Sequence, residues 1–226
     1  MTNSSSQGAP VPAGKGAKDE ILRRIRRATP ATEGSADVEV PRKYHLRGEH
    51  SPGSPELLEL LTDRLVDYRA TVHRCSPGQV PATVAAALAD RHARRLVVPA
   101  GLAPAWLAGW TGDAVPDRPQ APLTVHELDG MDGVVTGCAV AIADTGTLVL
   151  DASADQGRRA ITLVPDYHLV VVRAEQVVQS VPEGLARMDP GRPLTMISGP
   201  SATSDIELNR VEGVHGPRTL VVVLVS

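Results

Sequence analysis

Apolar positions change their spacing along the chain, and each pattern predicts an element. Leu57, Leu58, Leu61 and Leu65 recur with the period of a helix, directly after a Ser-Pro pair that suits a helix start. The same reasoning predicts helices at residues 19–27, 54–70, 77–93, 103–110, 174–188 and 204–211. Apolar runs predict strands at 71–75, 95–100, 138–153, 168–174, 194–198 and 219–225, with a strand or extended piece at 123–128.

Helices and strands alternate over most of the chain, which predicts an α/β fold. Several strands are apolar throughout, as is typical of a mostly parallel sheet covered on both faces, so we expect a three-layer α/β/α domain. The run 138–153 breaks at Asp144-Thr145-Gly146, which indicates an antiparallel hairpin within this fold. The domain is expected over residues 51–226.

Residues 1–50 are expected to form a flexible N-terminal arm, because their first part is rich in Ser, Gly, Pro and Ala. Within this arm, residues 19–27 predict a short basic helix with arginines around an apolar stripe. Two interpretations of that helix stay open. It is either a solvated helix or an arm that docks on the acidic surface of a partner.

Composition limits the classes of function. The 226 residues carry a net charge of −3, which gives no general attraction to nucleic acid or anionic membranes. No apolar run approaches the ~18 residues that span a bilayer, and the N-terminus lacks the apolar core of a secretory signal. Cys75 and Cys138 are too few for an iron–sulfur cluster, which takes about four thiolates, and they fit a reducing cytosol. We therefore expect a cytoplasmic protein with no cofactor of its own.

Familiar catalytic templates do not match this sequence. It contains no Walker lysine loop, no Gly-x-Gly-x-x-Gly and no Gly-x-Ser-x-Gly. The seven histidines show no zinc-ligand spacing with cysteine or carboxylate, so no metal site is expected. Candidate chemistry lies instead in polar turns between the apolar runs.

The turn after residues 194–198 is the most polar of these. Ser204 and Glu207 match the S-x-x-E capping box of a helix N-terminus. The turn holds further residues that a cap does not need: Ser198, Gly199, Ser201, Thr203 and Asp205. They either line a ligand site or only end a strand and begin a helix. A ligand site is expected beyond the carboxyl ends of the sheet strands, as in other open α/β sheets.

Three other segments offer candidate residues. His215 lies between two glycines and is either a hydrogen-bonded structural histidine or a proton donor or acceptor facing the same pocket. Arg158 and Arg159 could pair with a carboxylate or phosphate, although arginines are commoner on the surface. Asp166 and His168 could form an acid–imidazole pair, for which a spacing of two residues is weak support.

Four blocks together resemble the LUD-domain family: "AIADTGTLVLD" (141–151), "QGRRAITLVPDYH" (156–168), "SGPSATSDIE" (198–207) and "GVHGPR" (213–218). The resemblance covers roughly residues 40–226. It implies the three-layer fold shared by 5-formyltetrahydrofolate cyclo-ligase and the sugar-phosphate isomerase and CoA-transferase group (NagB/RpiA/CoA transferase-like). It also implies a role in bacterial oxidation of L-lactate to pyruvate, beside partner proteins that bear the iron–sulfur clusters.

The resemblance implies no catalytic residues, and it gives only pocket candidates for a small anionic ligand. These are Thr145, Gly146, Thr147, Arg158, Ser198, Gly199, Ser201, Thr203, Asp205, Glu207 and His215. Two alternatives remain open beside the lactate system. One is an independent cyclo-ligase-like or transferase-like enzyme that acts on a small metabolite with a nucleotide or CoA, and the other is a scaffold whose polar loops only cap helices. An exposed edge strand could also support a homodimer.

Overall fold

The computed structural model describes residues 15–29, 45–203, 211–212 and 215–226, which fall into two compact units divided after Tyr44. The first unit contains helix α1 (Lys15–Ala28), so the helix predicted at 19–27 is confirmed. Its Glu20 carboxylate accepts from the guanidinium of Arg23 at 2.7 Å and of Arg24 at 2.8 Å. The expected flexible arm falls mostly outside the described residues, and docking of α1 on a partner stays a prediction.

The second unit, residues 45–226, holds all the other elements among the described residues. Its α-helices are α2 (Pro55–Asp67), α3 (Val80–Asp90), α4 (Val125–Asp129) and α5 (Val181–Ala186). Its strands are β1 (Thr71–Cys75), β2 (Arg95–Pro99), β3 (Asp113–Asp117), β4 (Gly133–Thr136), β5 (Val140–Ile142), β6 (Thr147–Leu150), β7 (Tyr167–Arg173), β8 (Val177–Val178), β9 (Thr195–Ile197), β10 (Ala202–Thr203), β11 (Val211–Glu212) and β12 (Thr219–Val225). Short 3-10 turns occupy Pro77–Gln79, Pro104–Leu107, Arg159–Thr162 and Ala174–Gln176.

Six of the described strands form one all-parallel sheet in the order β1-β12-β7-β4-β2-β3. The central strands β7 and β12 are almost entirely buried and pair from Tyr167 with Thr219 to Arg173 with Val225. Strands covered on both faces have no solvent side, which explains why both read as continuous valine and leucine runs. The α/β class and the parallel sheet are thus confirmed.

The two faces of this sheet carry different layers. On one face, Tyr167, Leu169 and Val171 pack in a core with helix α3. On the other, Val170 and Val172 pack with α2 and with residues of β5 and β6. A small sheet, which contains the predicted hairpin, therefore lies beside α2 on the second face.

That small sheet has the order β8-β5-β6-β9. Strands β5 and β6 are antiparallel, with Val140 opposite Val149, so the predicted hairpin is confirmed. Strand β9 also runs antiparallel to β6, with Leu148 opposite Ile197. This pairing brings a distant part of the chain beside the hairpin turn.

Two sequence predictions are wrong in the type of element. The segment 123–128 begins helix α4, because Thr124 and Glu127 form a capping box in which the Thr124 hydroxyl accepts from the Glu127 N–H at 3.2 Å. The single helix predicted at 174–188 is a 3-10 turn, strand β8 and the short helix α5. Its first part joins the small sheet, since Ala141 and Ile142 pair with Val177 and Val178. Tertiary pairing overrides local helix propensity here.

Other differences concern elements that the pattern did not predict. Strands β3 and β4 are short, and Pro116 and Gly133 within them weaken the strand signal. The helix predicted at 204–211 lies outside the described residues except for Val211, which belongs to strand β11 opposite Thr203.

None of the helices among the described residues is long and apolar enough to cross a bilayer. Cys75 and Cys138 are buried free thiols.

Candidate functional site

A cavity of about 340 Å³ lies between the start of the central strands and the loop that follows β9. Its volume is within the range typical of small-molecule sites, about 300–1,000 Å³. The lining mixes hydroxyl, imidazole, guanidinium and apolar groups: Arg159, Thr162, Leu163, His168, Thr195, Met196, Ile197, Ser198, Gly199, Pro200, Ser201, His215, Gly216, Pro217 and Leu220. The arrangement suits a small, partly polar ligand.

The cavity lies at the amino ends of β7 and β12. His168 and Leu220 are the second residues of these two strands, and both line it. The loop after β9 therefore does not lie beyond the carboxyl ends of the main sheet, where the sequence predicts it. Strand β9 belongs to the small sheet, so the loop after it does not follow the rule for parallel strands.

A chain of hydroxyl groups joins the hairpin turn to this cavity. The Thr147 Oγ1 atom is 2.8 Å from Thr145 Oγ1 and 2.8 Å from Ser198 Oγ. Thr147 is buried, and its position follows from the pairing of β6 with β9. Ser198 lines the cavity, whereas Thr145 and Thr147 stand behind it.

A second link connects the loop after β9 to the segment before β12. The His215 N–H donates to Ser201 Oγ at 3.1 Å, and the Ser201 N–H donates to the Pro217 carbonyl at 2.8 Å. Both Ser201 and His215 line the cavity. Two polar segments that the sequence singled out separately thus form one wall.

Two glycines allow the site loops to approach the end of helix α2. Gly146 has φ +58°, and a Cβ there would lie 2.8 Å from Arg64 Cβ. Gly199 has φ +85°, and a Cβ there would lie 2.7 Å from Tyr68 Cβ. The positive φ and the lack of room for a Cβ atom both favour glycine at these positions. Their role is to shape the loops.

The two neighbouring arginines have different surroundings. Arg158 forms a bidentate ion pair with Asp117, through Nε at 2.8 Å and Nη2 at 2.9 Å. Its guanidinium is therefore paired within the protein. Arg158 is also not among the residues that line the cavity. Arg159 does line the cavity, and its side chain has no ion-pair partner within the described part of the chain. A free guanidinium at a cavity suits an anionic ligand.

The Asp117–Arg158 pair perturbs both groups. Burial raises the pKa of the Asp117 carboxyl, but hydrogen bonds from Arg158 and from the Leu123 N–H outweigh burial and hold that pKa below its usual value. The hydrogen bond with Asp117 raises the pKa of Arg158. The pair therefore stays ionised at neutral pH and fixes the segment after β3.

Asp166 and His168 do not form the acid–imidazole pair that their spacing suggested. Asp166 binds Arg218 at 2.7 Å, and its hydrogen bond with Arg218 lowers the pKa of the Asp166 carboxyl. His168 is fully buried, and its Nε2 is 2.8 Å from Thr136 Oγ1. Burial lowers the pKa of His168 to about 3, so the ring is neutral at physiological pH. Asp166 lies just before β7 and is held by Arg218, whereas His168 lies within the strand and is paired with Thr136.

The structure brings part of the predicted set together. Ser198, Gly199, Ser201 and His215 line one cavity, with Thr147 hydrogen-bonded behind Ser198. Thr203 lies in strand β10, while Asp205, Glu207 and the Ser204–Glu207 capping box fall outside the described residues. No group of three or more potential metal ligands occurs within the described ranges.

Sequence reasoning missed several lining residues. In the sequence Arg159 stands out only as the neighbour of Arg158, and no local pattern marks Thr162 or Leu220. His168 stands out only as a possible partner of Asp166. The signal that could have found His168 is its position as a polar residue directly before the apolar run Leu169–Val172 of β7.

Known proteins similar to this chain match it over nearly its full length or over a part of it. A LUD-domain family model matches residues 118–225. Lactate utilization protein C of Deinococcus radiodurans is 47% identical over 220 residues, which cover 96% of this chain and 99% of that protein. Lactate utilization protein C of Bacillus subtilis is 27% identical over 129 residues, 52% of this chain and 53% of that protein. The crystal structure of a DUF162 family protein from Deinococcus radiodurans aligns with a TM-score of 0.64 at 46% identity, covering 76% of this chain and 97% of that chain.

Proposed function

The chain belongs to the LUD-domain family of lactate utilization protein C, and on this premise we propose that it is a component of an L-lactate utilization system, which oxidises L-lactate to pyruvate. The observation that carries the proposal is the 47% identity to a lactate utilization protein C over nearly the full length of both chains. Identity at this level over the whole length makes shared biochemistry the simplest expectation.

The cavity at the amino ends of β7 and β12 is the proposed site for a small anionic ligand. Arg159 supplies a guanidinium that is free of ion pairs with the described residues, and Ser201 supplies a hydroxyl that accepts from His215 and can still donate. Ile197, Leu163 and Leu220 add apolar surface. A short organic acid combines a charged carboxylate with a small apolar part, which matches this lining.

Oxidation of L-lactate releases two electrons, which need an acceptor. Cys75 and Cys138 are both buried, and two cysteines fall short of the about four thiolates that an iron–sulfur cluster takes. We propose that iron–sulfur partner proteins carry these electrons and that this chain acts beside them. A homodimer through an edge strand of the large sheet, such as β1, is a further part of the proposal.

The finer fold assignment is also a proposal. The six-stranded parallel sheet with helices on both faces supports a relationship to the cyclo-ligase and CoA-transferase group. We also propose that the arm ends and the domain begins near residue 50, and that the protein is cytoplasmic. A nucleotide-dependent or CoA-dependent enzyme of this fold would need several phosphate-binding cations, whereas the described lining offers a single arginine.

Growth on L-lactate tests the proposed function. Deletion of the coding sequence, in a strain that lacks a paralogue, is expected to abolish growth on L-lactate while growth on pyruvate is retained. Complementation with the full chain restores growth, and co-purification from that strain yields iron–sulfur proteins. Normal growth of the deletion strain on L-lactate contradicts the proposal. ATP or CoA turnover by the purified chain would favour the independent enzyme.

A further inference from the structure

One imidazole in the cavity wall has a hydrogen-bonding capacity that the described protein does not use. His168 is 0% exposed and lies on strand β7, in register with Val134 of β4. It is one of the residues that line the cavity. Its Nδ1 has no hydrogen-bond partner within the described residues. Buried polar atoms are nearly always hydrogen-bonded, so an orphan beside a cavity indicates a missing partner.

The other ring nitrogen has a fixed partner. His168 Nε2 is 2.8 Å from the hydroxyl oxygen of Thr136, which is also fully buried. The Thr136 hydroxyl has no second hydrogen-bond partner among the described residues, so its hydrogen is satisfied only if it points at Nε2. Nε2 is then the acceptor, and a neutral imidazole must carry its hydrogen on Nδ1. Nδ1, which has no hydrogen-bond partner within the described residues, is therefore a donor.

The protonation state supports the same arrangement. Burial lowers the pKa of His168 to about 3, so the ring stays neutral across the physiological range. A neutral N–H at the cavity needs an oxygen acceptor. Arg159 and Ser201 are two further residues of the same lining that can donate hydrogen bonds. A ligand that satisfies all three has at least two oxygen acceptors and a negative charge.

We infer that His168 is a ligand-binding residue: its Nδ1–H donates to an oxygen of a small carboxylate that Arg159 and Ser201 also bind in this cavity. Thr136 is its positioning residue, because the Thr136 hydroxyl fixes which nitrogen carries the hydrogen. The inference deepens the proposed function and rests on it for the choice of probes, pyruvate and L-lactate. A singly charged acid suits the single arginine and the apolar groups of the lining better than inorganic phosphate does.

Nitrogen-15 NMR of the full chain tests the tautomer and the contact together. The His168 ring signals are assigned by their loss in His168→Asn. In the free protein, Nδ1 of His168 is expected to carry the hydrogen, and Nε2 to be unprotonated. Saturation with pyruvate or L-lactate is expected to shift the Nδ1–H resonance downfield, as a stronger hydrogen bond forms.

The affinity for pyruvate, measured in a matched set of variants, provides a second test. His168→Leu, which removes the donor, is expected to weaken pyruvate binding by about 10- to 100-fold, the usual effect of a lost hydrogen bond to a charged group. His168→Asn keeps an N–H close to the position of Nδ1 and is expected to retain part of the affinity. Thr136→Val leaves the imidazole in place but removes the hydroxyl that selects its tautomer. The ring is then expected to populate both the Nδ1–H and the Nε2–H tautomers, and the variant to bind pyruvate less tightly. Thermal unfolding checks that each variant is folded.

Several outcomes would overturn the inference. They are an Nε2–H tautomer in the free protein, an Nδ1 signal that does not respond to either acid at saturating concentration, and tighter binding of inorganic phosphate than of either acid. If His168→Leu does not fold, the inference is still tested by the His168 tautomer of the wild-type chain and by the shift of its Nδ1–H resonance on addition of either acid. Failure of the proposed function looks different: the deletion strain would grow on L-lactate, whatever the NMR shows.

Discussion

Thr147 and Ser198 are 51 residues apart in the chain, yet their hydroxyl oxygens lie 2.8 Å from each other. The contact follows from the antiparallel pairing of β6 with β9, which places Ser198 directly after the last residue of β9 and beside the hairpin turn. Thr145 extends the same hydroxyl chain. The hairpin and the loop of the cavity therefore behave as one wall, and changes in the turn should reach the cavity.

Thr147→Val tests this connection. The substitution keeps the shape of a buried side chain but removes the hydroxyl that Thr145 and Ser198 share, so the free energy of unfolding is expected to fall by about 1–2 kcal/mol. Urea denaturation measures it. Thr145→Val is the matched control, because it leaves the Thr147–Ser198 pair intact and should cost less. Equal losses in the two variants would count against the connection.

Gly199→Ala tests the close approach of the loop to helix α2. The added Cβ meets Tyr68 Cβ at 2.7 Å and the Tyr68 carbonyl at 2.8 Å, at a φ of +85° that alanine rarely adopts. We expect a loss of about 1–3 kcal/mol in the free energy of unfolding. Gly78→Ala is the control, since a Cβ there has no atom within 4 Å. Equally small losses in both variants would contradict a close approach of Gly199 to Tyr68.

The Asp117–Arg158 pair predicts a pH-dependent stability. The folded-state pKa of Asp117 lies below its unfolded value, so its contribution is present above about pH 4 and is lost as the pH falls through the folded pKa. Asp117→Asn is expected to lower the free energy of unfolding at pH 7 by about 2 kcal/mol, a value reduced by the partial exposure of Arg158. Denaturation at pH 7 and pH 3 measures it. A difference from wild type that does not shrink at pH 3 would contradict the assignment.

The buried His168 is expected to make the free energy of unfolding depend on pH for a different reason. Because its folded-state pKa is about 3, the unfolded chain takes up a proton below about pH 6.5 that the folded chain does not, and stability falls as the pH falls. Between pH 7.5 and 5.5 this residue should cost wild type about 1 kcal/mol. His168→Asn is expected to remove that part of the slope. His126→Asn, at an exposed histidine, should keep it, and equal slopes for both variants would disprove the effect.

The sequence predicted much of the main sheet because the signals are local. Uniform apolar runs mark β7 and β12, and a helical leucine stripe after Ser54-Pro55 marks α2. The hairpin at 144–146 was likewise evident from its turn residues. Ser198, Gly199, Ser201 and His215 were found as polar residues in excess of what turns require, and they share one cavity.

The remaining features depend on long-range pairing, which periodicity does not encode. Nothing in residues 194–198 shows that this strand joins β6 of the small sheet, so the loop after β9 was expected at the opposite end of the main sheet. Arg158 and Arg159 are equivalent in sequence, and only the position of Asp117 on β3 distinguishes them. The sequence spacing suggested Asp166 as the partner of His168, although the residue that pairs with it is Thr136 on the neighbouring strand.

Calorimetric titration of the full chain with pyruvate and L-lactate tests the central claim, that the cavity binds a small carboxylate, most directly. Wild type is compared with Arg159→Gln and with Arg158→Gln as the matched control, at a temperature where all three are folded. We expect saturable binding that Arg159→Gln weakens about tenfold or more and Arg158→Gln leaves intact. Absence of binding by wild type, or a larger loss in Arg158→Gln than in Arg159→Gln, would contradict the account.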